Sequence, residues 1–474
     1  MVFMEKTAQP RPFGLRDKIG YLFGDFGNDF TFILSTVILS KFYTDVMGVS
    51  AGVVGTVMML ARAVDAVTDL SMGRLCDRSR PTPVGKFKPW LLRLCVPVAA
   101  ASFLLYQSGF AGRPMGFKIA YLAVTYILWG SFCYTGINIP YGSMASAISP
   151  EPADRQSLST FRTMGGMLAG LIIGMLVPLL CYQAETLPSG GVKQVLVGSR
   201  VTLAAGVCSV LAIVCYLLCY ALVTERVRPK ATRRRLPFGA LWRSALENRP
   251  LLAIIAASTL MLLAQLTMQN MSSYIYPDYY GSAAAQSAST ALMLVGMALA
   301  ALTAKPLAQR FGKAEISAAG GFFAAAVCLG TFFLRPGSVW VYCVLQMLCW
   351  LGLGLFSMVN WALITDVIDY AELKNGVRED GTVYALYSFA RKVGQSLAAG
   401  LSGWLLQRIG YSTAAAQAGQ PQPSQVLVGM FNISTLVPFF GFLALSLVLA
   451  FWYPLRKAQV EANVAALREK NGDA

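Results

Sequence analysis

Long apolar stretches alternate with short polar ones along almost the whole chain. Each apolar stretch is long enough to cross a bilayer as a helix, which takes about 20 residues. The twelve stretches lie near residues 18–46, 50–75, 89–111, 117–146, 158–183, 199–223, 250–277, 284–308, 314–334, 338–366, 381–407 and 427–453. The pattern predicts an all-α, polytopic membrane protein with twelve transmembrane helices.

The second stretch, from Ser50 to Gly73, carries charged residues within its apolar run. Arg62, Asp65 and Asp69 are spaced by three and then four residues, so a helix places them on one face. A single charge at bilayer depth costs about 2.5 to 3.5 kcal/mol, so these charges need compensation. Arg62 could form a purely structural ion pair with one carboxylate. Because one arginine can pair with one carboxylate and leaves the other without a partner, we favour a site for a proton or a small hard cation.

The composition agrees with a membrane protein, since 56% of the 474 residues are apolar and 13% are charged, whereas about a quarter are charged in a soluble domain. The net charge of +16 could suggest nucleic acid, but the basic residues concentrate in alternate polar segments. The positive-inside rule then predicts cytoplasmic N- and C-termini in the cell inner membrane. We expect a lipid bilayer as the environment, no nucleic-acid partner, no obligate protein partner and no cleaved signal peptide.

The basic segment 224–249 is the one clear domain boundary. The predicted domains are an N-terminal six-helix half over 1–223, a cytosolic linker over 224–249, a C-terminal six-helix half over 250–453 and a cytosolic tail over 454–474. A basic turn after the second stretch, GRLCDRSR, has a degenerate echo, KPLAQRFGKAE, between the eighth and ninth. A weak internal repeat of this kind is typical of a duplicated transporter.

Several kinds of chemistry are excluded by what the sequence lacks. Histidine is absent, which removes Ser-His-Asp and Cys-His hydrolases and imidazole metal sites. The ten cysteines are scattered without a CxxC pair, and no nucleotide-binding glycine motif occurs. We therefore expect a transporter and not an enzyme, with no cofactor, driven by an ion gradient or by the gradient of its substrate.

The first stretch contains GDFGND, in which Asp25 and Asp29 lie four residues apart on one helical face. Either carboxylate could pair with a buried basic residue. Either could also accept hydrogen bonds from sugar hydroxyls, and we prefer Asp29 because it lies deeper. Asp45, near the outer end of the same stretch, is expected at an outer gate or on a solvated face.

Polar residues of the fourth and fifth stretches could complete these sites. Thr135 and Asn138 share a face, and their oxygens beside the two carboxylates of the second stretch would complete a cation shell. Asn138 could equally form a hydrogen bond between helices. Arg162, inside the fifth stretch, could cap Asp29 or donate to a substrate. Arg155 lies at the cytosolic edge.

The last third of the chain adds a deep lysine and an aromatic residue. Lys392 lies about three turns into the eleventh stretch and needs a carboxylate or a polar cavity, for which the aspartates of the first two stretches are candidates. Trp361 could stack on a sugar ring, although an aromatic residue in a span more often packs against neighbouring helices.

Seven motifs together resemble one known family: GDFGND, YTDVMG, ARAVDAVTD, DRSRPTPVGKFKPW, NIPYG, TDVIDYAELKNGVREDG and SFARKVG. They are similar to the glycoside-pentoside-hexuronide:cation symporter family of the major facilitator superfamily, whose best-known member is the melibiose carrier. The resemblance covers residues 18 to 410. It implies the following roles: Asp65, Asp69, Thr135 and Asn138 in the cation site, Asp29 and Arg162 in sugar binding, Lys392 between both sites, Arg155, Arg310, Asp366 and Arg378 in an inner ionic lock, and Asp45 with Arg62 in an outer gate.

Two positions depart from the melibiose carrier. That protein has an aspartate where Asn138 stands and an aromatic residue where Gly142 stands. The lost carboxylate leaves both Na+ and H+ open as coupling ions, with Asp65 and Asp69 as the Na+ ligands if sodium is used. The lost aromatic residue leaves the identity of the sugar open.

The resemblance implies import of a sugar or glycoside by cation symport, with the two halves rocking around a central site. In this mechanism the cation binds at Asp65 and Asp69, and Lys392 changes its carboxylate partner when the cation arrives. The alternatives are a carrier of another cargo, such as a lysophospholipid, and a proton-coupled exporter of solutes or drugs. A multi-pass enzyme or structural subunit fits less well, since no histidine and no nucleophile motif occurs.

Overall fold

The computed structural model describes residues 11–186, 192–227, 248–375 and 380–471. These residues form a bundle of long helices and one small β-hairpin. Helices dominate because a chain that crosses lipid must satisfy its backbone hydrogen bonds within each segment.

The helices fall into two groups in chain order. The first helical group comprises α1 (Leu15–Leu34), α2 (Ala51–Arg78), α3 (Lys88–Leu104), α4 (Met115–Ile127), α5 (Thr135–Ile148), α6 (Pro152–Cys181) and α7 (Gly198–Leu222). The second helical group comprises α8 (Arg249–Tyr274), α9 (Ala283–Phe311), α10 (Lys313–Leu334), α11 (Val339–Asn375), α12 (Asp380–Arg408), α13 (Thr413–Gln417) and α14 (Ser424–Leu447). The amphipathic α15 (Lys457–Asn471) follows.

Several helices continue or join through π-helical turns, in which the hydrogen bonds skip one extra residue. These turns are Ser35–Leu39 and Phe42–Val46 after α1, Leu128–Tyr134 between α4 and α5, Ile275–Tyr279 after α8 and Val448–Trp452 after α14. With its π-helical turn, the pair α4 and α5 forms one continuous rod from Met115 to Ile148.

The prediction of an all-α, polytopic protein is confirmed. Ten helices of the described residues are long and apolar enough to cross a membrane. The two further predicted spans correspond to α3, which has 17 residues, and to α12, whose apolar run is interrupted by charged residues such as Arg391 and Lys392.

The one β-element, an antiparallel hairpin of β1 (Tyr182–Thr186) and β2 (Val192–Leu196), was not predicted. It lies in the polar segment between α6 and α7. We call the end of the bundle that carries it the hairpin end. The opposite end, where α7 ends at Leu222 and α8 begins at Arg249, is the linker end.

Each helical group has its own hydrophobic core. Nearly all members of one buried cluster lie between Tyr21 and Val223, and a second cluster runs from Leu251 to Leu455. A third cluster at the hairpin end joins Ala51 to residues of the second group. Residues 228–247 of the predicted linker lie outside the described residues, so its boundaries stay a prediction.

The residues that follow α7 fasten the first group together at the linker end. The Glu225 carboxylate accepts hydrogen bonds from the backbone N–H groups of Lys86, Phe87 and Lys88 at 2.7, 2.9 and 2.7 Å. These donors belong to the start of α3, where a helix leaves its N–H groups without intrahelical partners. Arg226 pairs at 2.8 Å with the buried carboxylate of Asp17 in the first turn of α1.

Candidate functional site

The two carboxylates of α2 each accept a hydrogen bond from the α4–α5 rod. The Ser131 hydroxyl donates to Asp65 at 2.5 Å, and the Thr135 hydroxyl donates to Asp69 at 2.8 Å. Ser131 belongs to the π-helical turn Leu128–Tyr134, and Thr135 is the first residue of α5. The sequence analysis predicted Thr135 but not Ser131, although a serine four residues before Thr135 lies on the same helical face.

Lys392 of α12 forms an ion pair with Asp69 and so links the two helical groups. The side chains of Lys392 and Asp69 are 31% and 21% exposed. On the other carboxylate, Arg62 lies 3.6 Å from Asp65. Each carboxylate therefore faces one cationic side chain and one hydroxyl, and the cation at Asp69 is the Lys392 ammonium.

Asn138 serves a different contact from the one expected of a cation ligand. Its amide oxygen accepts a hydrogen bond from the Asn28 amide at 3.4 Å, and the Asn28 oxygen accepts one from the Tyr216 hydroxyl at 2.8 Å. This chain ties α5 to α1 and α7. Among the described residues, no group of three or more Asp, Glu, Cys or His side chains could hold a metal ion.

Arg162 of α6 pairs with Asp25, the first of the two predicted site aspartates on α1. Its guanidinium donates to Asp25 at 2.9 Å and lies 5.2 Å from the centre of the Tyr141 ring. Asp29 lies against Gly166, where a Cβ atom would come within 2.6 Å of Asp29 Oδ2 and 3.2 Å of Asp25 Oδ2. The glycine thus lets α6 approach both carboxylates closely, and the Arg162 ion pair forms with Asp25 rather than with the deeper Asp29.

These side chains meet in one cavity between the two helical groups, which we call the charged chamber. Its volume is about 380 Å³. The predicted site residues in its wall are Arg62, Asp65, Asp69, Thr135, Asn138, Arg162, Trp361 and Lys392. The indole of Trp361 is 45% exposed there and meets the Tyr387 ring edge-on at 5.4 Å. Eight predicted site residues from five helices are therefore brought to one place, whereas Asp25 and Asp29 are not in this wall.

A second cavity of about 340 Å³, the amide chamber, adjoins the first. Phe32, Arg62, Arg391 and Gln395 line both. Other polar residues of its wall come from the second helical group and include Gln265, Gln269, Asn270 and Gln286. Sequence reasoning missed these amides, although Gln265 and Gln269 lie four apart within an apolar run and so share a helical face.

At the hairpin end, a buried lysine closes the bundle. Lys41 is 1% exposed and forms ion pairs with Asp45 at 2.9 Å and with Asp278 of the second group. The Tyr411 hydroxyl lies 3.0 Å from its ammonium, and the Tyr274 ring centre lies 4.6 Å from it. We call these five residues the Lys41 cluster.

Close helix packing supports the Lys41 cluster. Where α2 crosses α12, a Cβ atom on Gly403 would meet the Ala51 carbonyl oxygen at 2.4 Å and the Gly55 Cα at 2.8 Å. Where α6 meets α9, the Thr290 hydroxyl donates to the Gly174 carbonyl at 3.2 Å. Described hydrogen bonds and ion pairs between the two groups run from this end as far as Lys392 and Asp69. The charged chamber is therefore closed toward the hairpin end.

The residues expected in gates are distributed differently from the prediction. Asp45 lies in the Lys41 cluster, but Arg62 does not join it, because Arg62 is eleven residues into α2, about 17 Å below the start of that helix. Asp45 and Arg62 are therefore not in contact in this structure, and their role in an outer gate stays a prediction. The partners of Asp45 here are Lys41 and the Tyr411 hydroxyl, which donates to it at 2.7 Å.

The four residues expected in an inner lock are not joined to one another in the described ranges. Asp366 pairs at 2.6 Å with Lys313 of its own group. Arg155 donates to the backbone carbonyls of Ser149 and Pro150 at 3.1 and 2.6 Å. The Arg310 guanidinium lies 5.1 Å from the Phe311 ring centre. Arg378 lies outside the described residues.

Comparisons with known proteins agree with this architecture. Residues 20–457 match the family described as MFS/sugar transport protein. An uncharacterised symporter of Bacillus subtilis (strain 168) is 29% identical over 459 residues, 96% of this chain and 96% of the relative. A glucuronide carrier protein homolog of Escherichia coli (strain K12) is 30% identical over 442 residues, 93% of this chain and 92% of the relative.

A solved structure shares the fold. It is a bacterial homolog of the human lysosomal transporter Spinster in an inward-facing, unoccupied conformation. The TM-score is 0.65 over 94% of this chain and 96% of that chain, at 11% sequence identity. A likeness at that identity shows the common fold and nothing about the cargo.

Proposed function

The chain belongs to the MFS/sugar transport protein family, and on that premise we propose that it imports a sugar or glycoside together with a cation, Na+ or H+. The family consists of membrane carriers, and the resemblance to glycoside-pentoside-hexuronide:cation symporters is confirmed by its match and by the glucuronide carrier homolog. The coupling ion and the sugar are the parts that we add as a proposal.

The observation that carries the proposal is the ion pair between Lys392 and Asp69 beside Asp65. A lysine held on a carboxylate stands in for a cation, so the charge at Asp69 stays compensated when the carrier is empty. A Na+ or a proton that binds at Asp69 displaces the ammonium. Lys392 lines the same chamber as Arg162 and Trp361, so its release changes the charge where a sugar would bind.

Sugar recognition in the charged chamber would use groups that suit hydroxyls and a ring face. Arg162 in the chamber wall donates hydrogen bonds, and Asp25, which is not in the wall, holds its guanidinium from behind at 2.9 Å. The exposed face of Trp361 offers a surface for stacking against the apolar side of a pyranose. The same chamber thus holds both halves of a symport site.

Orientation follows from the distribution of basic residues. We place the linker end in the cytosol because the segment 224–249, which holds eight lysine and arginine residues, connects α7 to α8 at that end. In that orientation the hairpin end, which the Lys41 cluster closes, faces the outside. Import then requires the Lys41 cluster to open and the linker end to close, with Arg155, Arg310, Asp366 and Arg378 as candidates for that closure.

Asp69→Asn tests the proposal. The variant should abolish active accumulation of sugar in proteoliposomes, because a neutral amide cannot exchange Lys392 for a cation, while exchange of sugar across the membrane persists. The assay uses a panel of glycosides, pentosides and glucuronides with an imposed Na+ gradient or pH gradient. Glu461→Gln, a change at an acid that is 67% exposed on α15, is the control and should accumulate sugar normally.

Unchanged accumulation by Asp69→Asn would remove Asp69 from the coupling site. If no sugar moved with either ion while the reconstituted protein remained folded, the sugar assignment would fall. The lysophospholipid and exporter hypotheses would then take precedence.

A further inference from the structure

The β-hairpin follows α6 of the first helical group, but it also contacts the second group. At its base, the hydroxyl of the buried Tyr182 donates to the Ser273 carbonyl of α8 at 3.2 Å. On its second strand, the Lys193 ammonium donates to the backbone carbonyl of Gln420, in the turn between α13 and α14. One short hairpin therefore bridges to two separate segments of the second group.

The turn after α13 fits closely against both strands of the hairpin. Gly419 has a φ of +65°, and a Cβ atom on it would lie 3.1 Å from Glu185 Oε2 and 3.8 Å from Val195 Cγ2. Glycine suits this left-handed position because it has no Cβ atom. Gln422 fixes the turn, since its side chain accepts from the Ser412 N–H at 2.9 Å and donates to the Ser412 carbonyl at 2.8 Å. The hairpin therefore packs on a braced turn.

The same segment of the second group also reaches the end of the first predicted span. The Gln417 amide donates to the Val46 carbonyl at 3.1 Å. Asp45 of the Lys41 cluster, Lys193 and Gln417 line one small cavity of about 250 Å³. We call the described part of the hairpin, together with residues 412–422, the outer cap. The outer cap thus lies directly against the Lys41 cluster.

The contact made by Lys193 is suited to reversible release. Lys193 is 7% exposed, and no ion pair of its ammonium is found within the part of the chain that the structure describes. Burial lowers the pKa of this ammonium, because a desolvated cation is costly when its partner is a neutral carbonyl. If the hairpin left Gln420, water would hydrate the ammonium and offset the lost hydrogen bond. Lys41 differs, since it has carboxylate partners at Asp45 and Asp278.

We propose that the outer cap is a second layer of the outer gate, and that the hairpin must leave Ser273 and Gln420 before the Lys41 cluster can separate. The inference rests on the proposed transport, because import requires the hairpin end to open. Both layers join the two helical groups, so a movement that parts Lys41 from Asp278 also pulls the hairpin from the turn after α13. The proposal makes Lys193 a gating residue, which the sequence analysis did not predict.

A reversible disulfide across the outer cap tests this proposal. The double variant carries Val195→Cys and Gly419→Cys. A Cβ on residue 419 lies 3.8 Å from the γ position of residue 195, a separation that a disulfide can span after a small shift. Copper phenanthroline with oxygen forms the bond, and dithiothreitol breaks it. The native cysteines are buried, and each single-cysteine variant, treated in the same way, controls for the oxidant and for strain at residue 419.

Two measurements compare the oxidised and the reduced double variant. Hydrogen–deuterium exchange of residues 35–46 and 272–280 should be at least about tenfold slower in the oxidised protein, because the Lys41 cluster can no longer part. Sugar uptake into proteoliposomes should fall at least about tenfold on oxidation and return on reduction, since alternating access cannot be completed. Neither single-cysteine variant should respond to the oxidant.

Uptake that continued at the same rate in the cross-linked protein would overturn the two-layer gate but leave sugar symport intact. If no sugar moved even after reduction, the sugar assignment would fall, and the exchange measurement alone would decide on the outer cap. Equal exchange in the oxidised and reduced states would then reject it.

A second variant decides the question if the disulfide does not form or the double variant does not fold. It replaces residues 183–195 with Asn-Gly, a two-residue turn that can join Tyr182 to Leu196 because these residues are paired across the two strands. Without the outer layer, residues 35–46 should exchange at least about tenfold faster than in the parent chain. Unchanged exchange in this variant would reject the proposal.

Discussion

A lysine bridges the two helical groups at each of two places in their interface, and the two lysines differ in their exposure and in their number of partners. At the hairpin end, Lys41 is 1% exposed and has two carboxylates and two tyrosines around it. In the charged chamber, Lys392 is 31% exposed and has one carboxylate partner. Both lysines bridge the two groups, but only the second can exchange its partner with solvent at little cost.

This difference separates a structural charge from an exchangeable one. A buried ion with several partners is costly to disturb, since removal of one partner leaves the others desolvated and unpaired. A half-exposed ion pair contributes little to stability because water can replace either partner. We infer that the hairpin end holds the conformation and that the charged chamber responds to ligands.

The largest expected effect is at Lys41. Lys41→Met leaves Asp45 and Asp278 without their cation in a buried site, which costs about 3 to 5 kcal/mol. Hydrogen–deuterium exchange should show faster exchange of residues 35–46 and 272–280, because the hairpin end opens more often. Adding Asp278→Leu to the variant should restore part of the protection, since it removes the unpaired charge. Unaltered exchange would mean that the ion pairs do not hold this end closed.

A smaller effect is expected where the backbones of α2 and α12 touch. Gly403→Ala places a methyl group against the Ala51 carbonyl, and the forced separation should cost about 1 to 3 kcal/mol. The matched control is Gly73→Ala on α2, where a Cβ would meet nothing within 4 Å, so helix propensity should leave its stability equal or higher. Thermal unfolding in detergent compares the two. Equal shifts would contradict close packing at the hairpin end.

The smallest effect on stability, and the sharpest on function, is expected at Lys392. Lys392→Met removes a partly exposed ion pair and leaves Asp69 without its cation, so it should lower stability by less than Lys41→Met does. Because the ammonium no longer competes for Asp69, the coupling cation should bind about tenfold more tightly. The cation dependence of thermal stability measures this. Weaker cation binding in the variant would show that Lys392 helps to hold the ion and does not compete with it.

The fold was predictable because each long apolar stretch predicts a membrane-spanning helix. The carboxylates of α2 were equally easy to identify as candidate site residues, since a charged residue within an apolar run is costly at bilayer depth. Thr135 and Lys392 could be placed near them because each is a polar or charged residue within an apolar stretch. The motifs that carry the family resemblance contain Asp65, Asp69 and Lys392.

The remaining features depend on contacts that no local pattern encodes. Lys41 and Asp278 are 237 residues apart, and no sequence motif around either residue indicates the other as its partner. Whether Arg162 pairs with Asp25 or with Asp29 depends on how closely α6 approaches α1 at Gly166. The amide chamber was not predicted because glutamine is uncharged, so a glutamine within an apolar stretch stands out less than an aspartate does.

The π-helical turn Leu128–Tyr134 also constrains how this chain can change over generations. A π-helical turn contains one residue more than an α-helix of the same length needs. Deleting a single residue there would leave a regular helix whose two sides keep their faces, because the wide turn already absorbs the extra residue. Thr135, which follows the turn, would stay against Asp69, whereas side chains inside the turn, such as Ser131, would change direction. A chain that lacks the extra residue should therefore fold as this one does and keep the contact of Thr135 with Asp69, but lose that of Ser131 with Asp65.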